Sequence, residues 1–288
     1  MSQHIILDNI YQEDCLKFMR RASRQKFFVD VIVTSPPYNI DKGYSMYNDK
    51  ISRRQYLKWM NKVAKLSMPI MRDNGSFFLN IGGTLLDPLI PFQVLQEFLK
   101  AGYKLQNTIH WIKSISFDKA DVGKNSQVRD SFSVGHFKPI ISSRFLTDLH
   151  EFIFHFSKTL KTPLDKLSIG VPYQDKTNIG RWKSTKQDKR DRGNVWFIPY
   201  ATIQKGRPHP AVFPEKLPKF CLMLHGIRPD MVVYDPFIGA GTTASACINL
   251  DVKFVGTEID EQYVRIARDN IIASRQSTKE MKNPISRM

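Results

Sequence analysis

The stretch Asp30-Val-Ile-Val-Thr-Ser-Pro-Pro-Tyr-Asn-Ile40 decides how this chain is read. With Phe27, Phe28 and Val29 ahead of it, its first half is a short apolar, β-branched run, the composition of a parallel strand buried on both faces. Pro36 and Pro37 end that strand, because each fixes φ and removes an amide donor, and the residue before a proline is pushed to an extended conformation. The result is a stiff loop at the carboxyl end of a strand, where open α/β sheets place their ligands. Ser35 offers a hydroxyl, Thr34 to Pro36 offer backbone carbonyls, and Tyr38 offers an aromatic face. That set suits a planar base with an amino group: acceptors for the amine and a ring to stack on. Alone, a Ser-Pro-Pro-Tyr string reads more simply as a turn.

A second stretch, Met231-Val-Val-Tyr-Asp-Pro-Phe-Ile-Gly-Ala-Gly-Thr-Thr-Ala244, repeats the arrangement. An apolar run ends in a loop with Gly239 and Gly241, a helix is expected from Thr242 to Leu250, and a strand from Lys253 to Thr257 leads to Glu258. Glycines let the loop turn tightly and let a ligand come close, and an acidic side chain after the next strand can accept both hydroxyls of a ribose. Gly239, Gly241 and Ala244 also meet the loose dinucleotide pattern, so an NAD-dependent oxidoreductase is the first rival.

Together, Thr-Ser-Pro-Pro-Tyr and Asp-Pro-Phe-x-Gly-x-Gly-Thr-Thr resemble the amino-group DNA methyltransferases that use S-adenosylmethionine, and the order of the two loops is similar to the β arrangement of that family. The resemblance runs over roughly residues 4 to 273. It implies an α/β fold: a doubly wound, mainly parallel, seven-stranded Rossmann-like sheet carrying an inserted target-recognition module. It implies catalysis by Ser35, Pro36, Pro37 and Tyr38, with Ser35 Oγ and a carbonyl near Pro36 accepting the amine hydrogens and Tyr38 stacking on a flipped base. It carries the cofactor onto Asp14, Thr34, Asp235, Pro236, Phe237, Gly239, Gly241, Thr242, Thr243 and Glu258. His209, Pro210 and Phe213 resemble a His-Pro element that packs on the methionine part. For Asp14 the plain alternative is a helix N-cap. His150-Glu151 resembles a family motif near the target-base pocket. Ser at the head of the proline loop is typical of members acting on cytosine N4, whereas Asp or Asn is usual for adenine N6; N6-adenine stays as the alternative, and an RNA methyltransferase as a further one.

The composition agrees with a nucleic-acid partner. The chain of 288 residues carries a formal net charge of +16 and a pI near 9.7, which a polyanion would balance. There is no run of about 18 apolar residues and no secretory signal, so no membrane is expected and the protein reads as cytosolic. Cys15, Cys221 and Cys247 are scattered, without the spacing of a zinc site or a disulfide framework, and no metal is expected. An oxidoreductase explains neither the proline loop nor this charge, and a non-catalytic DNA-binding protein explains neither ligand loop.

Strands are expected at Ile5–Leu7, through Val33, at 75–83, at Leu105–Ile112 and at His150–Lys158, with helices opening at Asp14 and Ser52, the latter ended by a turn at Asp73-Asn74-Gly75, and others over Phe92–Leu99 and Glu261–Ala273. Asn80 and Gly82-Gly83 lie at a strand end beside the same crevice. Asp41 to Asp49 suits a flap over the bound base, and Ser114 to Asp148 shows no sustained period. From Lys158 to Arg207 the chain holds twelve Lys or Arg against four Asp, interleaved with Tyr173, Trp182, Trp196 and Tyr200. This reads as a DNA-reading insert with Arg181, Lys183, Lys186, Arg190 and Arg192 as candidate contacts. The expected organisation is catalytic residues 1–158, a recognition insert at 159–207, catalytic residues 208–275 and a polar tail at 276–288. The expected partners are double-stranded DNA and a cognate restriction endonuclease, with the protein a monomer or homodimer.

Overall fold

The computed structural model describes residues 4–39, 51–123, 128–135, 139–181, 186–199 and 213–282. In chain order they form β1 (Asn9–Gln12), α1 (Cys15–Arg24), β2 (Val29–Thr34), α2 (Arg53–Ser67), β3 (Met71–Ile81), α3 (Ile90–Lys100), β4 (Lys104–Ile112), β5 (Ser114–Phe117), β6 (Phe132–Gly135) and β7 (His150–Ser157). There follow β8 (Val195–Phe197), α4 (Lys216–His225), β9 (Val232–Asp235), α5 (Thr242–Asn249), β10 (Lys253–Glu258) and α6 (Glu261–Lys282). The expected flap at 41–49, Lys183, His209 and Pro210 lie outside the described residues.

The main sheet has the order β1-β10-β9-β2-β3-β7-β4-β8. Within it β7 runs antiparallel to both neighbours and the other pairings are parallel. From β2 the chain winds outward through β3, and from β9 it winds the other way through β10, so β2 and β9 are adjacent strands at a topological switch point. Such a point leaves a crevice outside the carboxyl ends of the two strands. The two motif stretches end there.

Alternating side chains of the central strands feed two cores, one on each face. Val31 and Val33 join Leu217, Cys247, Val264 and Ala267 of α4, α5 and α6. Ile32, and Val29 beyond the register shift that precedes Val31, join Phe18, Tyr56, Met60 and Val94 of α1, α2 and α3. Helices on both faces explain why β2 is buried along its whole length rather than alternating between buried and exposed residues.

Five expectations are corrected. The sheet has eight strands, not seven, because β8 from the basic stretch pairs with β4 through Trp111 and Trp196; three residues are too few to show a period. The first strand is not Ile5–Leu7 but Asn9–Gln12, since Asp8 takes φ +58° and ties its carboxylate to Lys253 and the Phe254 amide. Asp73 and Asn74 do not end a unit as a turn; they bulge from within β3, exposed, where its register with β2 shifts. Within Ser114–Asp148, β5 and β6 pair as a separate antiparallel ribbon. The last helix also runs past Ala273 to Lys282, held by Ser274 Oγ on Ser245 Oγ at 2.9 Å.

Candidate active site

The carboxyl ends of β2 and β9 are joined by one buried group. Asp235 accepts from Thr34 Oγ1 at 2.6 Å, from Thr243 Oγ1 at 2.6 Å and from the Phe237 amide at 3.0 Å. Thr34 immediately precedes Ser35, and Thr243 lies in the first turn of α5, so a single carboxylate sets the two loops against each other. Burial pushes the Asp235 carboxyl up to about 6, and the hydrogen bonds from Thr243, Thr34 and Phe237 oppose that rise. Gly239 and Gly241 take φ +48° and +86°, which L side chains rarely adopt, and Gly241 caps α5.

Beyond the glycines, Glu258 Oε2 accepts from the Gly239 amide at 3.1 Å, while Oε1 accepts from Ile259 at 2.8 Å and Asp260 at 3.0 Å. Burial raises its pKa against those three amides. A carboxylate has about four acceptor positions, so capacity remains for a ribose hydroxyl. Phe237 packs against Trp59 with ring centres 5.3 Å apart and planes tilted by 56°, forming an aromatic wall next to the loop. Pro236 is buried and Thr242 half-buried in the same turn. Glycines without side chains, an acceptor carboxylate and an aromatic wall are a donor set that fits a nucleoside-bearing cofactor.

On the other side of β2 lies a polar network. Ser35 Oγ and Tyr38 Oη are 2.8 Å apart, and Tyr38 Oη donates to Glu151 Oε2 at 2.9 Å. Asn80 Nδ2 donates to Glu151 Oε2 at 2.7 Å and to Tyr38 Oη at 2.8 Å. Lys113 Nζ donates to Glu151 Oε1 at 2.6 Å. Burial alone would raise the Glu151 pKa; the Lys113 ammonium and the bonds from Lys113, Asn80 and Tyr38 outweigh it and hold it below the ordinary value. Asn80 is only 2% exposed, yet its Oδ1 has no partner among the described residues. An unpaired buried amide oxygen costs about 1–3 kcal/mol. The Tyr56 hydroxyl donates to the Pro37 carbonyl at 2.7 Å and fixes the far end of the proline loop on α2.

The structure thus brings Thr34, Ser35, Pro36, Pro37, Tyr38, Asp235, Pro236, Phe237, Gly239, Gly241, Thr242, Thr243 and Glu258 to one end of the sheet. Asp14 caps α1, its Oδ1 accepting from the Lys17 amide at 3.0 Å. Phe213 is half-buried ahead of α4 and packs on the core. Of the basic candidates, Arg181, Lys186 and Arg190 are exposed. Arg192 is turned inward: Nε donates to the Ile169 carbonyl at 2.8 Å and the guanidinium lies 4.9 Å from the Phe220 ring centre. Its role in the fold is to hold the basic stretch on α4. His150 pairs with Asp148 at 3.3 Å, outside the Ser35 network. Sequence reading missed Lys113, because a lone lysine after a strand carries no signal until Glu151 is known to face it.

A family model described as DNA methylase, covering the N6 and N4 methyltransferases, matches residues 29–269. The chain belongs to this DNA methylase family. The Type II methyltransferase M.BglII of Bacillus subtilis is 28% identical over 278 residues, spanning 91% of this chain and 68% of that one. Among solved structures, the PvuII DNA methyltransferase, described as cytosine-N4-specific, is similar with a TM-score of 0.62 at 18% identity, over 96% of this chain and 92% of that one. The M1.HpyAVI–SAM complex is similar with a TM-score of 0.53 at 20% identity, over 91% and 98%. At such identities the structural likeness is one of fold, and the DNA methylases share this mainly parallel sheet. No helix of the described residues is long and apolar enough to cross a membrane.

Proposed function

We propose that this DNA methylase transfers a methyl group from S-adenosylmethionine to the exocyclic N4 amine of a cytosine in double-stranded DNA. The observation that carries the reading is Ser35 at the switch point, tied through Thr34 and Asp235 to the glycine loop of the neighbouring strand. The cytosine-N4 specificity of the PvuII enzyme and the SAM complex of M1.HpyAVI support it. Gly239 and Gly241 with Pro236, Phe237, Thr242 and Thr243 around them, Glu258 at the ribose, and Asp14 would hold the cofactor. When bound, it supplies an electrophilic methyl group whose sulfur keeps the bonding electron pair.

An exocyclic amine is a poor nucleophile because its lone pair is delocalised into the ring, and within a duplex it is also stacked away from the enzyme. The base leaves the stack and lies against the proline loop. Ser35 Oγ and a carbonyl near Pro36 accept the two amine hydrogens and draw the nitrogen towards tetrahedral geometry, so that its lone pair is free, while Tyr38 stacks on the ring. Positioning and fixed hydrogen bonds do the chemistry. Residues 1–158 and 208–275 serve as the catalytic part, and 159–207 as the recognition insert, where exposed Arg181, Lys186 and Arg190 meet phosphates. The Type II character of the M.BglII relative supports a restriction endonuclease as partner.

The test is a transfer assay with methyl-labelled S-adenosylmethionine and mixed-sequence duplex DNA, followed by nucleoside analysis. N4-methylcytosine is the expected product. N6-methyladenine would retain the reaction and overturn the target base; label in RNA alone would overturn the polymer.

A further inference from the structure

We propose that Glu151 is the end of a proton line that starts at Ser35 and passes through Tyr38, and that Lys113 and Asn80 are the residues that keep this line pointing away from the substrate. The inference rests on the proposed methyl transfer and assigns to that site a step and three residues it does not yet include.

The direction of the line follows from the groups present. A carboxylate can only accept, so the Tyr38 hydroxyl donates to Glu151 Oε2 at 2.9 Å. Tyr38 Oη has then spent its proton, and across the 2.8 Å contact Ser35 must be the donor. The same carboxylate decides the orientation of Asn80, whose NH2 and not its oxygen faces Oε2 at 2.7 Å. With its own proton directed at Tyr38 and one lone pair accepting from Asn80 Nδ2 at 3.3 Å, Ser35 Oγ keeps one lone pair, which is what accepting an amine hydrogen requires. A neutral or amide side chain at position 151 could donate to Tyr38 and reverse both hydroxyls. Lys113, 2.6 Å from Glu151 Oε1, keeps the acceptor ionised although it is largely enclosed.

The line also removes the surplus proton. Once methylated, the nitrogen holds one proton more than the neutral product. As that N–H bond breaks, an O–H bond forms at Ser35 Oγ, the Ser35 proton passes to Tyr38 Oη, and the Tyr38 proton passes to Glu151 Oε2. Each electron pair stays on the atom the proton leaves, so the base ends neutral and the carboxylate ends as a neutral acid, to be discharged to water. Glu151 and Lys113 are positioning residues in this scheme, because they act through Tyr38.

The experiment compares wild type with Glu151→Gln, Tyr38→Phe, the double variant and Lys113→Met, in single-turnover methyl transfer to duplex DNA across pH, with cofactor and DNA affinities and melting temperatures measured on each. Glu151→Gln is expected to slow transfer about 100-fold, with both affinities within about threefold of wild type. The double variant is expected to be no slower than its slower parent, as for groups acting in one line. Lys113→Met should gain an acid limb, losing rate as pH falls through a Glu151 pKa that has moved up. Infrared spectra of the protein alone, without cofactor or DNA, should then show a protonated carboxyl band in Lys113→Met that disappears when Glu151→Gln is added. An active wild type with Glu151→Gln within threefold of it, or a rate loss matched by losses in both affinities, overturns the proton line alone. A wild type that labels no DNA overturns the proposed function and the line with it.

Discussion

Asp235 and Ser35 do different kinds of work at the same end of the sheet, and substitutions should separate them. Removing the Ser35 hydroxyl takes away an acceptor for the amine but leaves the cofactor loop untouched. Ser35→Ala is therefore expected to lower single-turnover methyl transfer about 100-fold or more, while S-adenosylmethionine affinity by equilibrium dialysis stays within about threefold; equal losses in both would show that Ser35 supports the cofactor instead. Thr34→Val removes a donor from a buried carboxylate without changing volume. It should cost about 1–3 kcal/mol of stability, read as a lower urea midpoint, and should weaken cofactor binding too, because the Thr34–Asp235 bond joins the two loops. The proline and glycine loops were legible because their chemistry is local: Pro36, Pro37, Gly239 and Gly241 act on their own backbone. Lys113 was not, because its meaning lies in Glu151, which the chain delivers from an antiparallel strand.

At the scale of elements, the start of α5 is a constrained junction. Gly241 sits at φ +86°, and a Cβ there would lie 3.1 Å from the Ala267 Cβ of α6. Gly241→Ala should destabilise the protein by about 1–2 kcal/mol from the left-handed backbone alone, seen as a lower melting temperature, and more if α6 cannot move aside. The basic stretch offers a paired test. Arg190 is exposed, whereas Arg192 is committed to Ile169 and the Phe220 ring. Arg190→Ala is expected to weaken DNA binding with an unchanged melting temperature; Arg192→Ala is expected to lower the melting temperature. The opposite assignment of effects would place the DNA-facing side of the insert elsewhere. Charge and composition were enough to mark this stretch as basic, but which arginine faces water is a tertiary property.

Across the whole molecule, stability should fall in mild acid. Far from Ser35, Ser76 Oγ bridges His155 Nε2 at 3.0 Å and His225 Nδ1 at 2.9 Å, with Asn107 beyond one ring and Arg228 beyond the other. Burial lowers the pKa of His155 to about 3 and of His225 to about 4, from an ordinary 6.5. The unfolded chain therefore takes up these two protons first, and stability is lost as pH drops below 6.5. Asp235 has the opposite sign: its native pKa of about 6 exceeds the ordinary 3.8, so protonating it favours the native state between those values. Two histidines outweigh one aspartate, for a net loss of roughly 2 kcal/mol between pH 7 and 5. Urea midpoints at the two pH values check this, and a midpoint that rises in acid would contradict it.

The sequence by itself determined the α/β class, the alternation of strands and helices, the two ligand loops and the excess of positive charge. These follow from periodicity, from residues with special backbone freedom and from composition, each of which acts over a few neighbouring residues. It also pointed to the methyltransferase family, because the two loops occur together. Only the tertiary structure decided that β2 and β9 lie side by side, that Thr34 and Asp235 share a hydrogen bond across some two hundred residues of chain, that β8 completes an eighth strand, and that Glu151 and Lys113 stand behind Ser35 and Tyr38. Pairing between distant segments depends on how the whole sheet is wound, and no local pattern encodes which side chain arrives opposite which.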